Sequence, residues 1–260
     1  LEARREVHFE TYLFNVAADG ARIAGALEQA ALRGVRVMVV VDGAGSRDLA
    51  PEWLARWRSA GVQWRVFEPL GAGGIWFPSR WRRLHRKLCV IDQAIAFCGG
   101  INVLDDWYDP HSRGLLKQPR LDFSVRLVGP AVANIHTHMA LLWDRLQILG
   151  HLKAHRLGAA FDALLDGEQW PARLSKGPIR LVLRDNLRHR ADIEEAYLGA
   201  IARAREEIVI ANAYFFPGTR FRRALAAAAQ RGVRVILLLQ GRVEYVLLHY
   251  ASRALYGSLL

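Results

Sequence analysis

The chain repeats itself once. Residues 30–41, Ala-Ala-Leu-Arg-Gly-Val-Arg-Val-Met-Val-Val-Val, return at 228–239 as Ala-Ala-Gln-Arg-Gly-Val-Arg-Val-Ile-Leu-Leu-Leu. Each reads as the end of an amphipathic helix, a glycine just past it, and a strand apolar on both faces, as expected of a parallel strand covered by helices. The strands upstream correspond too: Val7 to Phe14 is matched by Ile208 to Phe216, with Glu10 set against Asn212. Strand, helix, strand thus occurs twice, about 200 residues apart. A period that long signals duplication of a whole α/β lobe, not a solenoid.

The first lobe reads as strand 6–13, helix 20–33, strand 35–41, helix 51–60 and strand 62–67. Strands at 84–91, 94–98 and 121–128 follow, then a helix from Pro130 to about Leu149. This alternation predicts an α/β sandwich around a mixed, mainly parallel sheet. Residues 1–150 make the first lobe. Residues 151–178, with scattered charges and Gly/Pro punctuation, read as a linker or insertion. Residues 179–260 begin the second lobe, opening with a strand at 179–183.

The chemistry lies in Leu84-His85-Arg86-Lys87-Leu88-Cys89-Val90-Ile91-Asp92, followed by Gly99-Gly100-Ile101-Asn102. His85 and Lys87 are two apart in an apolar, β-prone run, so in a strand both side chains leave one face. A neutral imidazole can attack phosphorus, and an ammonium beside it can neutralise the non-bridging oxygens. Gly99 and Gly100 permit a close backbone approach, and Asn102 offers an amide donor to the same phosphate. His85 follows Gly34 by 51 residues. The same spacing from Gly232 places a second histidine near position 283, beyond Leu260. Either the sequence is a piece of a longer one or two chains each contribute a motif across a two-fold axis. The lobe duplication favours the first.

Composition narrows the partner. The net charge is +11 and the isoelectric point about 10.3, which implies an anionic partner, either nucleic acid or an acidic lipid surface. Apolar residues make up 52% and charged ones 23%, which excludes a disordered chain. Cys89 and Cys98 read as buried, reduced thiols of a cytoplasmic protein. No uninterrupted apolar stretch reaches the roughly 18 residues of a transmembrane helix. The first residues carry neither an initiator Met nor a signal-peptide pattern.

The spacing His-x-Lys-x4-Asp-x6-Gly-Gly-x-Asn from His85 to Asn102 resembles that of the phospholipase D superfamily. Further segments resemble the short type of bacterial cardiolipin synthase, which lacks N-terminal transmembrane helices. They are Arg184-Asp185-Asn186, His189-Arg190-x-Asp192-Ile193-Glu194, Ile210 to Gly218, and Asp122-Phe123-Ser124-Val125-Arg126-Leu127-x-Gly129-Pro130. The resemblance implies a phospholipase D-like sandwich and transfer of a phosphatidyl group in two displacements through a phosphohistidine, without cofactor or metal. Phosphatidylglycerol, or phosphatidylethanolamine with phosphatidylglycerol, would supply donor and acceptor. It makes His85, Lys87 and Asp92 catalytic, and Gly99, Gly100 and Asn102 phosphate-binding. Strand parity puts Asp92 on the face opposite His85 or at the strand end, where it anchors the turn toward Gly99. Asp122 is the candidate to orient His85 through its ring N–H.

Trp76, Phe77, Arg80, Trp81, Arg82 and Arg83 mix rings with guanidinium groups directly before His85. They are expected at an anionic bilayer, with the protein peripheral on the cytoplasmic side of a bacterial membrane. Asp105 to His111 reads as a loop lining the site, not as a metal centre. His136 and His138 point to different helix faces and read as ordinary helix residues. The rival is a phosphodiesterase or nuclease with water as acceptor, with nucleic acid the less favoured partner. A degenerate lobe that only binds membranes or nucleic acid is opposed by the intact first motif and left open by the absent second one.

Overall fold

In this computed structural model, residues 2–46, 49–69, 83–109, 114–153, 179–184, 189–213 and 215–241 are described, with Tyr250, Arg253 and Gly257. Two compact units divide the chain, Leu1–Leu181 and Val182–Leu260.

The first unit runs β1 (Glu6–Thr11), α1 (Asp19–Leu32), β2 (Arg36–Asp42), α2 (Pro51–Ala60), β3 (Gln63–Phe67), β4 (Leu88–Ile91) and β5 (Ile95–Gly99). The small hairpin β6 (Tyr108–Asp109) and β7 (Gly114–Leu115) follows, then β8 (Ser124–Val128) and α3 (Pro130–Lys153). Six strands form one sheet in the order β3-β2-β1-β4-β5-β8. β1, β2 and β3 are parallel, while β4, β5 and β8 pair antiparallel in turn. Four of the six strands therefore share a direction, as the mixed, mainly parallel reading expects.

The apolar run of β2 explains the layering. Val37, Val39 and Val41 pack with Ala24 and Leu27 of α1 and Trp57 of α2, while Met38 and Val40 pack with Leu84 and with Trp143 of α3. All five β2 residues are buried, at roughly 1.5–3 kcal/mol for each large apolar side chain. A strand apolar on both faces needs a helical layer on each, and this one has α1 and α2 on one side and α3 on the other. Trp57 ties α2 to α1 by donating its indole N–H to the Ala24 carbonyl at 3.1 Å.

The second unit holds α4 (Asp192–Arg203), β9 (Glu207–Asn212), α5 (Thr219–Gln230) and β10 (Arg234–Leu239). Its core is Ile201, Phe215, Leu225, Ala228 and Val233. The repeat holds in atomic detail. Gly34 and Gly232 take φ of 87° and 89°, the left-handed position past a helix end where a Cβ is disfavoured. Val35 N–H bonds Ala30 O at 3.1 Å, and Val233 N–H bonds Ala228 O at 3.1 Å. Glu6 pairs with Arg36 across one parallel ladder, and Glu207 with Arg234 across the other.

That register corrects one correspondence. Val41 pairs with Thr11 and Leu239 with Asn212, so Asn212 matches Thr11, and Glu10 matches Ala211. The strand expected over 84–91 begins at Leu88, because its partner β1 ends at Thr11 and the Glu10–Leu88 pair is the last. Residues 179–184 form no strand; Leu181 packs instead on Val90, Ala96, Val132, Ile135 and Met139 of the first unit. Cys89 and Cys98 are free thiols and half-buried, not fully buried. Cys89 stands opposite Phe97 and Cys98 opposite Leu88, which puts the two thiols on opposite faces of the sheet. Among the described residues no helix is long and apolar enough to cross a membrane.

Candidate active site

Parallel strands leave a crevice beyond their carboxyl ends, where the following loops diverge. Here the loop after β1 and the turn after β2 are joined. Ser46 accepts the Phe14 N–H at 3.0 Å and donates its hydroxyl to Tyr12 O at 2.8 Å. The extended segment 84–87 passes this edge before entering β4.

Asp42, the last residue of β2 and fully buried, fixes that segment. Its Oδ1 accepts N–H bonds from Ala44 at 2.8 Å and Gly45 at 3.1 Å, closing the turn. Its Oδ2 accepts the Leu84 N–H at 2.7 Å, and the Arg83 guanidinium sits 3.2 Å from Oδ1. One carboxylate therefore positions the backbone immediately before His85.

Alternation then sorts the next three side chains. Arg86 turns inward, its guanidinium 2.9 Å from Oε2 of Glu10, though neither Glu10 oxygen accepts a well-formed hydrogen bond. Burial pushes the Glu10 carboxyl up to about 7, against the pull of Arg86. His85 and Lys87 emerge together: Lys87 Nζ lies 3.2 Å from His85 Nδ1 and donates to the His85 carbonyl at 3.1 Å. Tyr12 completes the group, its ring 5.0 Å from the imidazole and 5.4 Å from the Lys87 ammonium. His85 is exposed and Lys87 buried.

Desolvation lowers the pKa of His85, reinforced by Lys87 and opposed by Asp42. Desolvation also lowers Lys87, to about 8, while Asp122 and Asp42 pull it back up. The pair is thus a neutral imidazole beside an ammonium near neutrality, the arrangement suited to attack on a phosphodiester.

Asn102 reaches the loop after β1: its Oδ1 accepts the Leu13 N–H at 3.1 Å, which leaves its NH₂ as the outward donor. Gly99 and Gly100 serve the crossing to β8. A Cβ at Gly99 would lie 2.3 Å from Phe123 O, and one at Gly100 would lie 2.2 Å from Asp122 Oδ1. The close approach at Gly99 is made by the protein's own backbone, and that at Gly100 by the Asp122 carboxylate.

Asp92 stands away from this group. It opens the three-residue β4–β5 connection with φ of 52°, Gln93 following at 55°, both positive as in a type I′ turn. Its carboxylate accepts N–H bonds from Arg4 at 2.9 Å, Arg5 at 2.7 Å and Glu6 at 2.9 Å. It anchors the start of β1, not the turn toward Gly99.

Asp122 does not take the orienting position expected of it. No hydrogen bond joins it to His85 among the described residues; its Oδ1 accepts the Phe123 N–H at 2.7 Å, and its charge acts on Lys87. Arg83 is not a lipid-facing group: its side chain turns in to Asp42 and the Glu68 carbonyl. Trp76, Phe77, Arg80, Trp81 and Arg82 lie outside the described residues, as do Pro110 and His111 of the expected lining loop.

Sequence reasoning missed Asp42 and Tyr12. Asp42 carried a legible signal, an acidic residue closing a strand with five consecutive apolar residues, where a buried carboxylate needs several donors.

Residues 1–108 and 197–260 match the family described as "Cardiolipin synthase, PLD-like domain". The chain is 36% identical over 259 residues to cardiolipin synthase B of Escherichia coli K12, covering all of this chain and 60% of that protein. It is 30% identical to the probable cardiolipin synthase YwiE of Bacillus subtilis 168, covering all of this chain and 49% of that protein. The chain thus spans about half to three-fifths of the length of these relatives. Among solved structures, phosphatidylserine synthase of Haemophilus influenzae Rd KW20 superimposes with a TM-score of 0.59 at 12% identity, over 92% of this chain and 57% of that one. At that identity the likeness is one of fold.

Proposed function

The chain belongs to the cardiolipin synthase family of phospholipase D-like proteins, and from that premise we propose that it carries half of a phosphatidyl-transfer site. The observation that carries the reading is the contact of Lys87 with His85 at 3.2 Å beyond the ends of the parallel strands. The relatives' greater length leaves room for the second motif beyond Leu260, near the position set by the repeat.

One motif histidine attacks the phosphorus of phosphatidylglycerol. An N–P bond forms, the P–O bond to the glycerol headgroup breaks, and the other histidine gives its proton to the departing oxygen. That histidine then takes the proton from the hydroxyl of a second phosphatidylglycerol, whose oxygen displaces the first histidine from phosphorus. The products are cardiolipin and glycerol. Lys87 and the Asn102 amide balance charge on the non-bridging oxygens throughout. Gly99 and Gly100 serve the phosphate subsite by letting the chain that carries Asn102 pass close to β8. Asp92 contributes through the backbone it holds, and Asp122 through its field at Lys87. The protein works on the cytoplasmic face of the membrane, drawn to anionic lipid by its net charge of +11.

The same charge favours one rival, a phosphodiesterase acting on nucleic acid with water as acceptor. The test uses the protein continued through its natural C-terminus on vesicles of phosphatidylglycerol, with and without phosphatidylethanolamine. Lipid mass spectrometry should find cardiolipin. Phosphatidic acid alone would make the protein a hydrolase. Cleavage of DNA without any lipid product would make it a nuclease.

A further inference from the structure

On the face of β1 that meets α3, three buried side chains converge. Glu6 and His8 are two apart on the strand and leave the same face, and His136 comes from α3. All three are buried. His136 Nε2 lies 3.0 Å from Glu6 Oε1 and 3.3 Å from His8 Nε2, and His8 Nε2 lies 3.7 Å from Glu6 Oε2. Every ligand atom of the set is within 4.8 Å of the others.

These separations have a meaning. Ligands about 2.0–2.1 Å from a tetrahedral zinc ion stand about 3.3 Å from one another. The two Nε2 atoms face each other at that separation, and their rings meet edge to face with centroids 4.6 Å apart. A hydrogen-bonded cluster can place only one proton between two facing imidazole nitrogens. A cation engages both lone pairs at once. The surroundings match a metal's outer shell: Gln93 donates to Glu6 Oε1 at 2.8 Å, and the Arg36 guanidinium holds Oε2.

We propose that Glu6, His8 and His136 form a structural site for a divalent transition ion of the zinc class. Two imidazoles and a carboxylate are the donor set that zinc accepts, with a water or a bidentate carboxylate as the fourth ligand. The ion clamps α3 to β1. It touches none of the reacting groups, so it is distinct from the transfer chemistry.

The test uses the protein continued through its natural C-terminus, stripped by chelator and titrated with Co²⁺ and then Zn²⁺. One equivalent of Co²⁺ should give the visible absorption of a four-coordinate site, which Zn²⁺ then abolishes. Zn²⁺ at about a hundred times its Kd should raise Tm by roughly 5–10 °C. X-ray absorption of the zinc form should show imidazole nitrogen and oxygen at about 2.0–2.1 Å. The variants His8→Gln and His136→Gln should lose the cobalt spectrum. The proposal is overturned if the stripped wild type gives no cobalt spectrum and no Tm shift. It is equally overturned if sulfur appears in the metal's shell, or if the variants keep the spectrum. The wild-type measurements decide the matter even should a variant fail to fold.

Discussion

Lys87 Nζ stands 3.2 Å from His85 Nδ1, two groups that cannot both carry full charge at that distance without cost. Partial burial favours the neutral form of each. The balance leaves the imidazole uncharged and the ammonium charged across the neutral range.

A pH profile follows with a definite sign. His85 is lowered from its ordinary 6.5, so the nucleophilic neutral form persists to lower pH and the acid limb of kcat/KM should fall below 6.5. Lys87 at about 8 loses its proton as pH rises through that value, and activity should decline there. Arginine keeps its proton, so Lys87→Arg should flatten the alkaline limb even while lowering the plateau. An alkaline limb unmoved by that change would assign it to another group. The same shift bears on stability. Between about 8 and 10.5 the unfolded chain holds the Lys87 proton and the folded one does not, so this residue's contribution grows with pH across that window.

Asp42 is expected to be a structural key. It is fully buried and receives three backbone N–H groups and Arg83. Asp42→Ala should cost about 3–5 kcal/mol in denaturant unfolding, the usual penalty for breaking a buried charge pair. Asp42→Asn keeps an acceptor and should cost less, while moving the acid limb of activity further down because His85 loses an upward pull.

The two glycines should separate by what a methyl group would strike. At Gly99 it meets backbone, the Phe123 carbonyl, and at Gly100 it meets the Asp122 carboxylate. Gly99→Ala should therefore destabilise by about 1–3 kcal/mol, the range for overpacking. Gly100→Ala should cost less stability and shift the alkaline limb of activity downward, because it displaces a charge that supports Lys87.

Asp92→Ala tests a motif residue that stands apart from the chemistry. It removes the acceptor of three N–H groups at the start of β1, and should lower stability by about 1–3 kcal/mol. Below the unfolding transition, kcat should fall well short of the 10²–10⁴-fold loss typical of a proton-transfer group. A loss of that size on folded protein would return Asp92 to the catalytic set.

The layering was legible because its signals are local: a glycine past a helix end, a doubly apolar strand, a motif of fixed spacing. What escaped depends on distant partners. Arg83 reads as one more cation in an arginine cluster until Asp42, forty-one residues earlier, is found beside it. His136 reads as an ordinary helix residue by its spacing to His138. Yet Val132, Met139 and Trp143 share a buried stripe with it, and β1 carries Glu6, His8 and Glu10 on a single face. Those two patterns together held the signal of a buried polar cluster. Asp122 reads as the partner of His85 by its place at the start of a strand, whereas its Oδ1 accepts the neighbouring Phe123 N–H.

The most direct test of the account is cardiolipin formation from phosphatidylglycerol vesicles by the protein continued through its natural C-terminus, beside His85→Ala. Both proteins are first shown to unfold at the same temperature. The wild type should release glycerol and cardiolipin in equal amounts, and the variant should form neither above background. Undiminished cardiolipin from folded His85→Ala would contradict the assignment of this site.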